Sequence, residues 1–238
     1  MSQKTEHRIE SPHDLANRLE LPFRDDFLLS RALTHRSYRN EHPEALEDNE
    51  RLEFLGDAVL DFLVAAWVYH RFPEMAEGDL TRTRSALVHT ESLAEFARKI
   101  NLHSAMRLGR GEAQNGGYER ATLLCDTFEA LVGALYLEKD LDAVRKFIEP
   151  FLEDAIEEVV ANLELADTKS MLQEWAQAQG FEAPRYRMKT TTGPEHRKYF
   201  QVNVLVNGKV YGSGEGFSKQ SAEKNAAGDA MKRLGLKD

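Results

Sequence analysis

Five carboxylates sit where a soluble helix has little reason to carry them. Glu50, Glu53 and Asp57 are spaced i, i+3, i+7 within the stretch Asn49–Val64, which is otherwise apolar around most of its circumference. Helical periodicity puts the three on one face. A second stretch, Thr122–Leu137, is apolar nearly all round and places Asp126 and Glu129 at i, i+3. Both helices are expected to be buried. Ionised carboxylates gathered in a low-dielectric interior repel one another and lose hydration, at several kcal/mol per ion unless cations compensate. Solvated helix faces are the ordinary alternative for acids so spaced, but in these surroundings a divalent metal is the economical explanation. Neither stretch offers the Glu-x-x-His pairing of di-iron bundles, and an all-oxygen set suits Mg²⁺ or Mn²⁺. Hard cations on clustered acids are the equipment of two-metal phosphodiester hydrolysis, so residue chemistry points to a phosphotransfer or nuclease site.

The elements that must hold these acids are helical. From Ser11 to Ala161 apolar residues recur at helical spacing, with breakers between the runs at Phe72-Pro73 and from Gly109 to Gly117. A charged helix around Asp142–Val160 closes this half and runs into 162–166, read as a short flexible linker. The pattern then changes. Ser170–Gln179 carries Met171, Leu172, Trp175 and Ala176 on one helical face, and Gly180 stops it. Tyr199–Val206 alternates as a half-buried strand, with Phe200, Val202, Val204 and Val206 on one side, and Asn207-Gly208 supplies a type I′ turn. Gly212, Gly214 and Gly216 are expected to break the next strand. Ser218 can cap a last helix whose stripe of Ala222, Ala226, Ala230 and Leu234 fits closely on a small sheet, and Gly235 ends it. The predicted organisation is an N-terminal extension (1–10), an all-α domain (11–161), a linker (162–166) and a small α+β domain of order α-β-β-β-α (167–238).

A net charge of −9 argues at first against a nucleic-acid partner. The charge is uneven, however. Up to Ala166 there are 19 Lys+Arg against 32 Asp+Glu (−13), and beyond it 12 against 8 (+4), which together give −9. An acidic body joined to a basic binding module is the implied arrangement. The single cysteine, Cys125, excludes an intramolecular disulfide framework and a cysteine-based zinc site. No signal-peptide pattern and no run of membrane-spanning length are evident, so a soluble cytoplasmic protein without a membrane partner is expected.

Asn49–Leu60, reading NERLEFLGDAVL, resembles the signature of the ribonuclease III family. Ala32–Tyr38, Glu77–Thr81 and Asp126–Leu131 agree with it in order and spacing. The resemblance implies that Glu53, Asp126 and Glu129 ligate Mg²⁺, for which Mn²⁺ can substitute. Asp57 and Glu129 are the implied catalytic pair, Asp57 helping to orient the site and the nucleophilic water, while Glu50 and Glu77 match auxiliary acids. Phe54 matches a face that packs across a homodimer interface. Cys125, where the family usually has alanine, is expected to pack as a small hydrophobe, and His35 to make structural hydrogen bonds. The implied activity is endonucleolytic cleavage of both strands of double-stranded RNA. It leaves 5′-phosphate and 3′-hydroxyl ends with short 3′ overhangs, and its substrates are ribosomal precursors and structured messenger RNAs.

The second half resembles a double-stranded RNA-binding domain. Ser170, Gln173, Glu174 and Gln177 are implied to reach 2′-hydroxyls in one minor groove, and the loop of His196, Arg197 and Lys198 to enter another. Lys219 and Lys224 open the last helix toward phosphates. Relatives usually show two adjacent lysines where this chain has Lys219-Gln220, so one phosphate contact is expected to be weak. Two rivals remain. A non-catalytic RNA-binding dimer is disfavoured by the intact acidic residues, and a di-iron oxidase lacks its histidines.

Overall fold

The computed structural model describes residues 9–24, 26–194 and 198–236. It divides into two units, 1–159 and 160–238. The first is helical: α1 (Pro12–Arg18), α2 (Asp26–Ala32), α3 (Arg36–Glu41), α4 (Glu50–Arg71), α5 (Glu77–Leu87), α6 (Thr90–Lys99), α7 (Arg110–Gln114), α8 (Ala121–Glu138) and the beginning of α9 (Leu141–Ala178). Local signals set the boundaries. Ser11 caps α1 by accepting from the Asp14 amide, with Pro12 in the first turn. α4 ends against Phe72, the residue before Pro73, which disfavours helical backbone.

α8 is the axis of this unit. From Leu123 to Leu135 every residue is buried except Asp126 and Glu129. Phe128 is fully buried, its ring 5.8 to 6.0 Å from those of Phe96, Phe147 and Phe151. Burying such a ring stabilises the fold by roughly 1.5–3 kcal/mol. α4 packs on α8 so closely that a Cβ on Gly56 would collide with the carbonyl oxygen of Glu129, and one on Gly133 with that of Leu52. α4 differs from the sequence expectation, because only part of it is buried. Phe54, Phe62 and Tyr69 are 80%, 59% and 65% exposed, so an apolar stripe of α4 faces out of the single chain.

The second unit has the predicted order. The latter part of α9 is followed by β1 (Arg185–Thr192), β2 (Tyr199–Val206), β3 (Lys209–Gly216) and α10 (Lys219–Arg233), the strands forming an antiparallel sheet in the order β1-β2-β3. Val202 and Val204 join Leu172, Ala222, Ala226, Ala227, Ala230 and Met231 in its core. Asn207 and Gly208 both have positive φ, as the turn requires. The glycines of β3 do not break it. Gly216, Gly214 and Gly212 pair with Phe200, Val202 and Val204, and a Cβ on any of the three would strike α10. Lacking side chains, they let the alanine stripe of α10 lie directly on the sheet.

Residues 162–166 are helical and lie inside α9 rather than forming an extended linker. The sequence Asn-Leu-Glu-Leu-Ala holds neither glycine nor proline, Leu165 is buried, and the Thr168 hydroxyl donates to the Glu164 carbonyl.

Candidate active site

Asp126 and Glu129 are the breaks in the buried surface of α8, and Glu53 and Asp57, on the α4 helix packed against it, lie near enough for their charges to act on the same group. Burial raises the Glu53 carboxyl above its ordinary range, with the charges of Asp126, Glu50 and Asp57 adding to the effect. Burial likewise raises Asp126. Glu129 is pushed up to about 7 by burial first, then by Asp57, Asp126 and Glu53. The four acids therefore share one field across two helices. A carboxyl oxygen of Asp126, one of Glu129 and the Cys125 sulfur lie within 4.8 Å of one another, close enough to surround a single ion, whereas Glu53 and Asp57 fall outside that tight group.

The neighbouring acids are arranged differently. Glu50, at the start of α4, is more than half exposed and lies 3.4 Å from Arg36. Glu77 begins α5 and accepts from the Thr81 hydroxyl at 3.2 Å. The segment before α4 is pinned in place: the Asn49 amide donates to the Thr34 carbonyl, and the His35 amide to the Arg107 carbonyl. The His35 ring accepts from the Ser37 amide and caps α3, a structural duty.

In the second unit Ser170, Gln173, Glu174 and Gln177 are exposed along α9, and Lys198 and Lys219 are exposed as well. His196 and Arg197 lie outside the described residues. Ser218 caps α10 by accepting from the Ser221 amide. Lys224 is ion-paired with Glu164 at 2.7 Å.

Residues 25–156 match the family model described as ribonuclease-III-like, and residues 168–234 match that of the double-stranded RNA binding motif. The chain belongs to the ribonuclease III family. It is 48% identical to ribonuclease 3 1 of Nostoc sp. over 90% of this chain and 95% of that protein. It is 45% identical to ribonuclease 3 of Enterococcus faecalis, over 93% and 96%. The nuclease domain of ribonuclease III from Campylobacter jejuni, whose structure is described for flexibility in a region involved in dimer formation, matches 59% of this chain and 94% of its own. That match has 39% identity and a TM-score of 0.55. This ribonuclease III is thus an endoribonuclease whose second unit is a double-stranded RNA-binding domain.

One participant escaped the sequence reading. Cys125 is buried, as a small hydrophobe would be, but its thiol donates to Glu129 Oε1 at 3.6 Å. Burial pushes that thiol upward in pKa, followed by the charges of Glu129 and Asp126, so it remains a protonated donor. Its position four residues before Glu129 on the same helix was the available signal.

The raised carboxyls have a consequence for stability. Between about pH 4.5, where an unfolded glutamate ionises, and about 7, the folded chain holds a proton at Glu129 that the unfolded chain has released. Folded-state proton excess makes stability fall as pH rises through this window. In metal-free buffer Glu129→Gln, which removes the charge, should gain in melting temperature relative to the parent as pH goes from 5 to 7. Parallel melting curves for the two proteins across that range would mean a solvated carboxylate instead.

Proposed function

We propose that this ribonuclease III acts as a cytoplasmic homodimer that binds Mg²⁺ through Glu53, Asp126 and Glu129 and hydrolyses both strands of an RNA duplex. The products would carry 5′-phosphates and 3′-hydroxyls with short 3′ overhangs, and the substrates would be ribosomal precursors and structured messenger RNAs. The observation that carries the reading is the convergence of four carboxylates through the glycine-mediated crossing of α4 and α8.

The donor set fits a hard divalent cation: carboxylate oxygens predominate, and burial raises Glu53, Asp126 and Glu129 above their ordinary ranges, so a cation among them would favour their charged forms. When bound, Mg²⁺ supplies Lewis-acid stabilisation of the phosphate and lowers the pKa of the attacking water. The chain's part is positioning. Glu53, Asp126 and Glu129 hold the ion, the Cys125 thiol restrains one oxygen of Glu129, and Asp57, exposed at the mouth, orients the water. Glu50 and Glu77 serve as outer acids toward the scissile phosphate.

The outward stripe of Phe54, Phe62 and Tyr69 supports the dimer, since one chain leaves these large side chains in water. Ser170, Gln173, Glu174, Gln177, His196, Arg197, Lys198, Lys219 and Lys224 would form the duplex-binding face. Shape and 2′-hydroxyl recognition are the expected mode rather than base readout.

The reading is tested by incubating the full chain with a long RNA duplex and a single-stranded control. Shortening of the duplex with Mg²⁺, and none with a chelator, is the expected outcome. A duplex left intact at millimolar Mg²⁺, or cut equally well in chelator, would overturn it.

A further inference from the structure

Two side chains of the proposed phosphate-binding end of α10 are already engaged by residues of α9 from the same unit. The Lys224 ammonium lies 2.7 Å from a carboxyl oxygen of Glu164. One turn earlier on α10 the Gln220 amide donates to Asn162 Oδ1, also at 2.7 Å. Asn162 and Glu164 are two residues apart and meet side chains four residues apart on α10, so the two contacts form a paired seam. The segment carrying them is anchored, with Leu165 buried and Thr168 bonded back to the Glu164 carbonyl.

A second acid–lysine pair lies nearby, between Lys169 and Glu223 at 2.6 Å. It is of another kind, because Glu223 is only 15% exposed and Lys169 also lies over the Tyr186 ring. Glu164 is 60% exposed and Lys224 34%. Water reaches both, and exposed pairs of this sort are weak and exchange readily.

We infer that Glu164 is an internal stand-in for an RNA phosphate, occupying Lys224 until a duplex displaces it and so holding RNA affinity below what the lysine alone would give. The inference rests on the proposed role of Lys224 as a phosphate contact. It also gives the glutamine at 220 a function. A neutral amide there bonds to Asn162 and keeps the seam closed, leaving Lys219 as the cation open to solvent in the first turn of α10.

The test measures duplex binding by the full chain in metal-free buffer over a salt series, for the parent, Glu164→Gln, Lys224→Ala and the double variant. Glu164→Gln should bind about two- to fivefold more tightly at low salt. Its plot of log affinity against log salt should steepen by less than the increment of about 0.9 that a whole phosphate contact gives, because the bridge removed competes most strongly at low salt. Lys224→Ala should weaken binding, and Glu164→Gln should give no gain in that background. If Lys224→Ala weakens binding while Glu164→Gln changes neither affinity nor slope, Lys224 contacts RNA and the stand-in inference fails. A gain that persists without Lys224 would be a general charge effect and also overturns it. Binding indifferent to Lys224→Ala would sink the assignment of Lys224 itself, and the inference with it.

Discussion

Glu129→Gln is expected to reduce the rate of duplex cleavage by about 10³-fold or more, on the order of 4 kcal/mol of lost transition-state stabilisation, while duplex affinity in metal-free buffer stays within about twofold of the parent. The substitution preserves side-chain volume and keeps an acceptor for the Cys125 thiol, so the packing of α8 is undisturbed. What it removes is the proposed anionic ligand at the point where charges from both helices meet. Glu129 feels the charges of Asp57, Asp126 and Glu53, the other three acids of the group, in addition to its burial. The double-stranded RNA-binding motif lies in the second unit, so duplex affinity should barely register the change. The discriminating measurement is a single-turnover cleavage rate beside a binding isotherm. Cleavage within tenfold of the parent would move the chemistry away from α8, and parallel loss of binding would indicate that the substitution had disturbed more than the site.

The acids could be read from sequence because helical periodicity is a strong constraint: i, i+3, i+7 on one segment and i, i+3 on another each force a shared face. That the two faces would meet was not encoded in either segment alone. It depends on Gly56 and Gly133, which sit opposite backbone of the other helix and which carry no periodic signal of their own. The same limitation explains the third strand. Gly212, Gly214 and Gly216 look like interruptions until the helix lying on them is known. The linker expected at 162–166 falls where the charged helix reads as running out, but with no glycine or proline in the segment α9 continues through it. The outward face of α4 was also invisible to a periodicity argument. Phe54 and Phe62 belong to an apolar pattern that reads as core, and the structure of the single chain leaves them uncovered. Side-chain pairs between distant positions, such as Glu164 with Lys224, have no sequence signature at all.

The opposing signs expected for two glycine substitutions test whether the helix crossing is what assembles the site. In a helix with free space, Gly→Ala stabilises by roughly 0.5–1 kcal/mol, because alanine loses less backbone entropy on folding. Gly228, within α10, is such a position, with nothing near the place a Cβ would take, and Gly228→Ala should raise the melting temperature slightly. Gly56→Ala should do the reverse. Its methyl would enter the carbonyl of Glu129, and backbone cannot swing aside as the tip of a long side chain can. α4 and α8 must therefore separate, at about 3 kcal/mol or more, the upper range for overpacking. Separation also draws Glu53 and Asp57 away from Asp126 and Glu129. Cleavage should fall by at least about tenfold even at temperatures where the variant remains folded, as small displacements of ligands are felt strongly in catalysis. A Gly56→Ala protein as stable as the parent, or one destabilised but fully active while folded, would show that the close crossing of α4 and α8 does not set the geometry of the four acids.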